Sequence, residues 1–158
     1  MAPIIYREMA PGEEQVVCNL VTQVFNEFVA SDYGQDGIEE FFRFANPEAM
    51  KERMQSNGIV IVAVENDTIV GMLEFFPPDI VALLFVTVRH RGIAKELLAQ
   101  SIDKARTSSP SLSKLIAHSS PYAQPIYQKM GFHNTGNETT ENGITYIPME
   151  LSLERKNT

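Results

Sequence analysis

The sequence predicts a mixed α/β (α+β) domain. Three observations predict it: a short N-terminal strand leads into amphipathic helical segments, the periodicity changes at Gly58 to β-branched runs, and strand and helix then alternate to the end of the chain. A length of 158 residues with 44% apolar composition fits one domain over 1–158 with a sizeable core, and only the tail Glu154 to Thr158 reads as frayed.

Ile4 to Arg7 has the pattern of a short strand. Pro11-Gly12-Glu13-Glu14 then opens a helix, because Val17, Leu20, Val21, Val24, Phe25 and Phe28 recur at helical spacing and form one apolar face. Two shorter helices are expected over Gly37 to Phe44 and Pro47 to Gln55, the second behind Asn46-Pro47. From Ile59 to Val64 the residues are β-branched, Glu65-Asn66-Asp67 marks a turn, and Thr68 to Phe76 forms the second arm of a hairpin. Pro77-Pro78-Asp79 ends it. Ile80 to Val88 is nearly all apolar and suits a central strand covered on both faces.

A helix from about Gly92 to Thr107 follows at once, with Ala94, Leu97, Leu98, Ile102 and Ala105 on one side. Leu115 to His118 reads as a strand, and Ala123 to Met130 as a short helix stopped by Gly131. Asn142-Gly143 marks a hairpin turn ahead of a final strand, Tyr146 to Leu153.

Charge and composition narrow the function. A net charge of -7 argues against a nucleic-acid partner, which needs a basic face to release counterions. The start of the chain lacks a basic segment followed by an apolar core, and no run approaches the ~18 apolar residues of a membrane span, so a cytoplasmic protein with no membrane partner is expected. Cys18 is the single cysteine, which rules out an internal disulfide and a multi-thiolate metal site. Val17, Val21 and Val24 around it give it the setting of a core residue. No metal site is expected.

Chemistry gathers at two places. The first is the strand-to-helix junction, where Arg89-His90-Arg91-Gly92-Ile93-Ala94 leaves unpaired backbone N–H groups at a helix start. The helix dipole favours an anion there, Gly92 and Ala94 permit close backbone approach, and Arg89, Arg91 and Lys95 add positive charge to an acidic protein. Gly92 stands outside any G-x-G-x-x-G pattern, so a dinucleotide-binding reading has little support. The second place is Ser119-Ser120-Pro121-Tyr122-Ala123-Gln124-Pro125-Ile126-Tyr127, a strand end with a Ser cap and a short helix. Two further titratable groups stand out. Glu74 interrupts the apolar run Met72-Leu73-Glu74-Phe75-Phe76, and a carboxylate there is paired, at a strand surface, or raised in pKa for function. His118 lies at a strand's C-terminal end, where ligand sites of parallel sheets collect.

R-x-x-G-x-A at Arg89 to Ala94, followed some thirty residues later by A-x-x-x-Y-x-K-x-G-F, resembles the GNAT superfamily of acyl-CoA-dependent N-acetyltransferases. S-S-P-Y-A-x-P-I-Y, with N-G-I-x-Y-x-P-M at Asn142 to Met149, is similar to a bacterial-type branch of small members. The resemblance covers roughly Gly58 to Leu153. In one respect the chain departs from it: the junction is two residues shorter than the family's V-x-P-x-Y-R-G-x-G-I-A, and His90 replaces a usual Gly.

The resemblance implies a mixed central sheet of about six to seven strands with helices on both faces, and a splayed parallel strand pair that holds acetyl-CoA. Phe85, Val86 and Val88 would line the cofactor, with a strand N–H near Phe85 facing the thioester carbonyl. Arg89, His90, Arg91, Gly92, Ile93, Ala94 and Lys95 would hold its phosphates, and Ser120 and Tyr127 would flank it. Acetyl transfer to a primary amine of a small molecule or peptide would proceed by direct attack. Tyr127 matches the family's general acid, and a phenol of pKa about 10 suits a thiolate leaving group. Glu74, His118 or water would act as base. Glu27, Asp32, Tyr33 and Phe42, from the variable helical region, would wall the acceptor site. The protein would be a monomer or homodimer. A second reading, a non-catalytic acyl-CoA sensor or interaction module, follows from the shortened junction.

Overall fold

The computed structural model describes residues 3–153, so the expected frayed tail lies outside the described residues. The elements are β1 (Ile5–Glu8), α1 (Glu14–Val24), α2 (Gln35–Phe44), α3 (Pro47–Ser56), β2 (Ile59–Glu65), β3 (Thr68–Phe76), β4 (Ile80–Val86), α4 (Ile93–Ser108), β5 (Lys114–Ser119), α5 (Gln124–Lys129), β6 (His133–Asn134), β7 (Thr139–Glu141) and β8 (Ile144–Ser152). They build one mixed sheet in the order β1-β2-β3-β4-β5-β8-β6, with β7 paired to β8. The mixed sheet agrees with the expected architecture; among the described residues it has eight strands against about six to seven expected, the smallest being the two-residue β6.

Helices cover both faces because the sheet's side chains alternate. Ile61 and Ala63 of β2 point into a core with Leu97, Leu98 and Ala105 of α4 and Tyr127 of α5. Val60, Val62 and Val64 point the other way, onto Val17 and Val21 of α1 and Met50 of α3. Cys18 is buried in this second core, and burial raises its thiol to about 11, so it is an inert core residue.

Two local departures shape the site. The helical period expected through Phe28 breaks: α1 ends at Val24, and Phe25–Val29 forms a π-helical turn followed by a 3₁₀ turn, Ala30–Asp32. The wider turn rotates Phe28 off the apolar face, leaving it 38% exposed. Similarly, β4 stops at Val86, and Val88 is exposed beyond it instead of extending a central strand.

Among the described residues the only parallel neighbours on the sheet path are β4 and β5, and they pair at just two positions, Ile80 with Ile116 and Val81 with Ala117. Across β4's other edge the register with β3 shifts between Glu74 and Phe75, which leaves Ala82 as an extra residue on β4. A bulge bends its strand and increases local twist. Here it falls at the residue where β4 parts from β5.

Candidate active site

Beyond Val81 the edge of β4 that faces β5 has no strand partner, and a cavity of about 520 Å³ opens in the gap. Ala82 to Val86 form one wall, His118 and Ser120 at the end of β5 another, and Ala123, Ile126 and Tyr127 a third. Val24 at the end of α1 and Val29 at the end of the π-helical turn frame the cavity, while Tyr33, Phe41 and Phe44 close it from the helical side.

Tyr127 is brought to the cavity by α5, whose start is fixed by Ser120: its Oγ accepts from the N–H of Ala123 at 3.1 Å, and its carbonyl accepts from that of Gln124 at 3.1 Å. The ring packs edge-on to Phe132 at 5.0 Å between centroids, and the residue is only 5% exposed. Its hydroxyl has no hydrogen-bond partner among the described residues, and burial pushes the phenol well above its ordinary pKa. A phenol so placed keeps its proton at neutral pH. It has a proton to give, although the raised pKa makes it a weaker acid than a free phenol.

The residues expected to hold phosphates follow Thr87, whose N–H and Oγ1 both donate to the carbonyl of Val70, at 2.9 and 3.1 Å. His90 has φ +64° and Gly92 φ +73°, both in the left-handed region, which suits Gly92 and strains His90. Gly92 caps α4, a helix of 16 residues with no side chain on its first N–H groups, so those of Ile93, Ala94 and Lys95 remain free for an anion. Ala94 reaches the cavity lining, whereas the Ile93 side chain is buried under α4 and Lys95 is exposed. Arg91 is held away by Glu65, with Nη1 to Oε1 at 3.0 Å and Nη2 to Oε2 at 2.6 Å. Arg89 instead lies over the ring of Tyr122, 5.3 Å from its centroid, and Tyr122 stacks on Phe28 at 4.7 Å.

Of the two base candidates, the structure brings only His118 to the cavity, where its ring stacks on Tyr146 at 4.4 Å. Glu74 is fully buried on the α1 and α3 side and is not in the cavity lining; its carboxylate is bound by Arg53 at 2.6 and 3.1 Å. Burial pushes its pKa up, and the bonds from Arg53 oppose that shift. Of the acceptor candidates, Tyr33 lines the cavity. Phe42 stands behind it, edge-on to Phe25 at 5.3 Å, and Glu27 and Asp32 are exposed outside the lining.

Sequence reasoning missed Glu40, Phe41 and Phe44 of α2 and Glu141 and Tyr146 of the last hairpin, all of which line the cavity. The Asn142-Gly143 turn was the available signal for the hairpin pair. Nothing local marked which face of α2 it would meet.

Comparison with known proteins agrees with this fold. A GCN5-related N-acetyltransferase from Rhodopseudomonas palustris superposes with a TM-score of 0.79 at 19% identity, covering 97% of this chain and 98% of that one. PaiA N-acetyltransferase from Thermoplasma acidophilum, solved in complex with coenzyme A, gives 0.76 at 17% identity over 95% and 99% of the two chains. By sequence, a UPF0039 protein of Schizosaccharomyces pombe is 29% identical over 65 residues, 41% of this chain and 43% of that relative's length. The chain thus matches less than half of that relative. The family model described as an acetyltransferase (GNAT) domain matches residues 29–153, nearly the whole sheet and all three walls of the cavity, and the chain accordingly belongs to the GNAT family of acetyltransferases.

Proposed function

We propose that the protein is an N-acetyltransferase that uses acetyl-CoA to acetylate a primary amine. The observation that carries this reading is Tyr127, a proton-bearing phenol buried beside the gap where β4 and β5 part.

The residues present fit acetyl-CoA. The free edge of β4 from Ala82 to Val86 offers backbone groups to an extended amide-bearing chain, and the uncapped start of α4 offers N–H groups to phosphates. When bound, acetyl-CoA supplies an activated thioester. The chain's own residues then have three tasks. A backbone N–H near Phe85 polarises the acyl carbonyl; Tyr127 gives its proton to the departing sulfur; and His118 or a water beside it takes the proton from the attacking ammonium. Direct attack by the amine requires no protein nucleophile. Glu74 acts here as a positioning residue, because Arg53 ties it to Phe44, a cavity wall.

A second reading, an acyl-CoA-binding module without turnover, is favoured by the diversion of Arg91 to Glu65 and the strain at His90. Incubation with acetyl-CoA and a panel of primary amines, followed by mass spectrometry of the amines, separates the two. Products heavier by one acetyl group support the enzyme. Thermal stabilisation by acetyl-CoA with no acetylated amine supports the module.

A further inference from the structure

The tip of the β7–β8 hairpin is seated on the first turn of α2 without a gap. The N–H of Gly34 donates to the carbonyl of Gly143 at 2.8 Å. A Cβ on Gly37 would overlap the Gly143 carbonyl and stand 2.8 Å from the N of Ile144; a Cβ on Gly143 would overlap the Asp36 carboxylate and stand 2.5 Å from the N of Gly37. Real Cβ atoms do not approach backbone so closely, so only glycine at both positions permits the contact. Gly143 also has φ +80°, which completes the turn.

Both partners carry cavity walls. Tyr33, Glu40 and Phe41 belong to the α2 side, and Glu141, Ile144 and Tyr146 to the hairpin. No extended chain can run between two backbones in contact, so this side of the cavity is shut to a polypeptide lying across it.

The lining also selects by charge. Among the described residues it contains the carboxylates of Glu40 and Glu141 and no lysine or arginine. Glu40 is paired with Arg43 on the same helix, whereas Glu141 accepts only the hydroxyl of Tyr146, at 3.1 Å. Glu141 therefore has capacity for an ammonium, and the rings of Tyr33, Phe41, Phe44 and Tyr146 suit an apolar body and a cation.

We infer that the Gly37–Gly143 contact is a specificity latch, which admits a small primary amine with an apolar body, its ammonium at Glu141, and excludes an amine in the middle of a polypeptide. The inference rests on the amine-acceptor reading above. Its test reads binding rather than turnover, so failure of the latch is distinguishable from failure of the enzymatic reading.

Titration calorimetry would compare 2-phenylethylamine, the neutral 2-phenylethanol, and a nine-residue peptide with blocked ends and a central lysine. The intact protein is expected to bind the amine at least about tenfold more tightly than the alcohol and than the peptide. Glu141→Gln should remove the preference over the alcohol. Gly37→Ala should weaken the amine about tenfold and bring the peptide to a comparable affinity. Should Gly37→Ala fail to fold, hydrogen exchange at the Gly34 amide of the unaltered protein reads the latch directly, with slow exchange expected. Equal affinity of the unaltered protein for amine and peptide, no binding of the amine, or unprotected exchange at Gly34 would each overturn the latch. Amine binding without acetyl transfer would remove the enzymatic reading and leave the latch standing.

Discussion

Arg53 grips the buried carboxylate of Glu74 with a two-pronged fork, Nε to Oε2 at 2.6 Å and Nη2 to Oε1 at 3.1 Å. The same guanidinium donates from Nη1 to the carbonyl of Phe44 at 2.7 Å and lies 3.7 Å above the Phe44 ring. One side chain of α3 thereby joins the centre of the sheet to the end of α2, and Phe44 carries the connection into the cavity wall.

Because Glu74 is 0% exposed, removing its partner strands a charge in the core. Arg53→Met is expected to cost about 3–5 kcal/mol in urea unfolding, and the double change Arg53→Met with Glu74→Leu to recover most of that loss. A double variant no more stable than the single one would show that the fork contributes through more than charge pairing.

His90 adopts φ +64° in the position where a glycine would be unstrained. His90→Gly is expected to raise stability by about 0.5–1 kcal/mol, the difference between relieving a left-handed side chain and adding freedom to the unfolded chain. Urea unfolding of the two proteins checks it, and a loss of stability would mean that the imidazole makes a contact that outweighs the strain.

Acid sensitivity should centre on Glu13. The side-chain hydrogen bonds from Arg7, both at 2.8 Å, and one from the N–H of Ala10 lower its pKa from 4.5 to about 2. A depressed carboxyl binds fewer protons in the folded state, so its contribution is complete above pH 4.5 and fades as pH falls toward 2. The stability difference between the unaltered protein and Glu13→Gln is therefore expected to shrink across that window. A difference independent of pH would contradict the assignment.

The order of elements was legible because it rests on local pattern: the change of period at Gly58, the prolines after Phe76, and the Asn142-Gly143 turn each act within a few residues. The start of α4 was also read from local pattern, and the splayed pair was foreseen through motif resemblance. What stayed hidden depends on distant partners. The π-helical turn at Phe25–Val29 is a change of phase with no compositional mark, and nothing near Glu74 points to Arg53, 21 residues earlier. Likewise Glu65 holds Arg91, a proposed phosphate-binding residue, across 26 residues, and Gly37 meets Gly143 only when α2 and the last hairpin close on each other.

Release of free thiol from acetyl-CoA, followed with and without 2-phenylethylamine in the unaltered protein and in Tyr127→Phe, tests the central claim most directly. Amine-dependent release is expected, reduced in Tyr127→Phe by about 10²-fold or more, while coenzyme A raises the melting temperature of both proteins alike. Undiminished release by Tyr127→Phe would contradict the role given to its phenol as the proton donor.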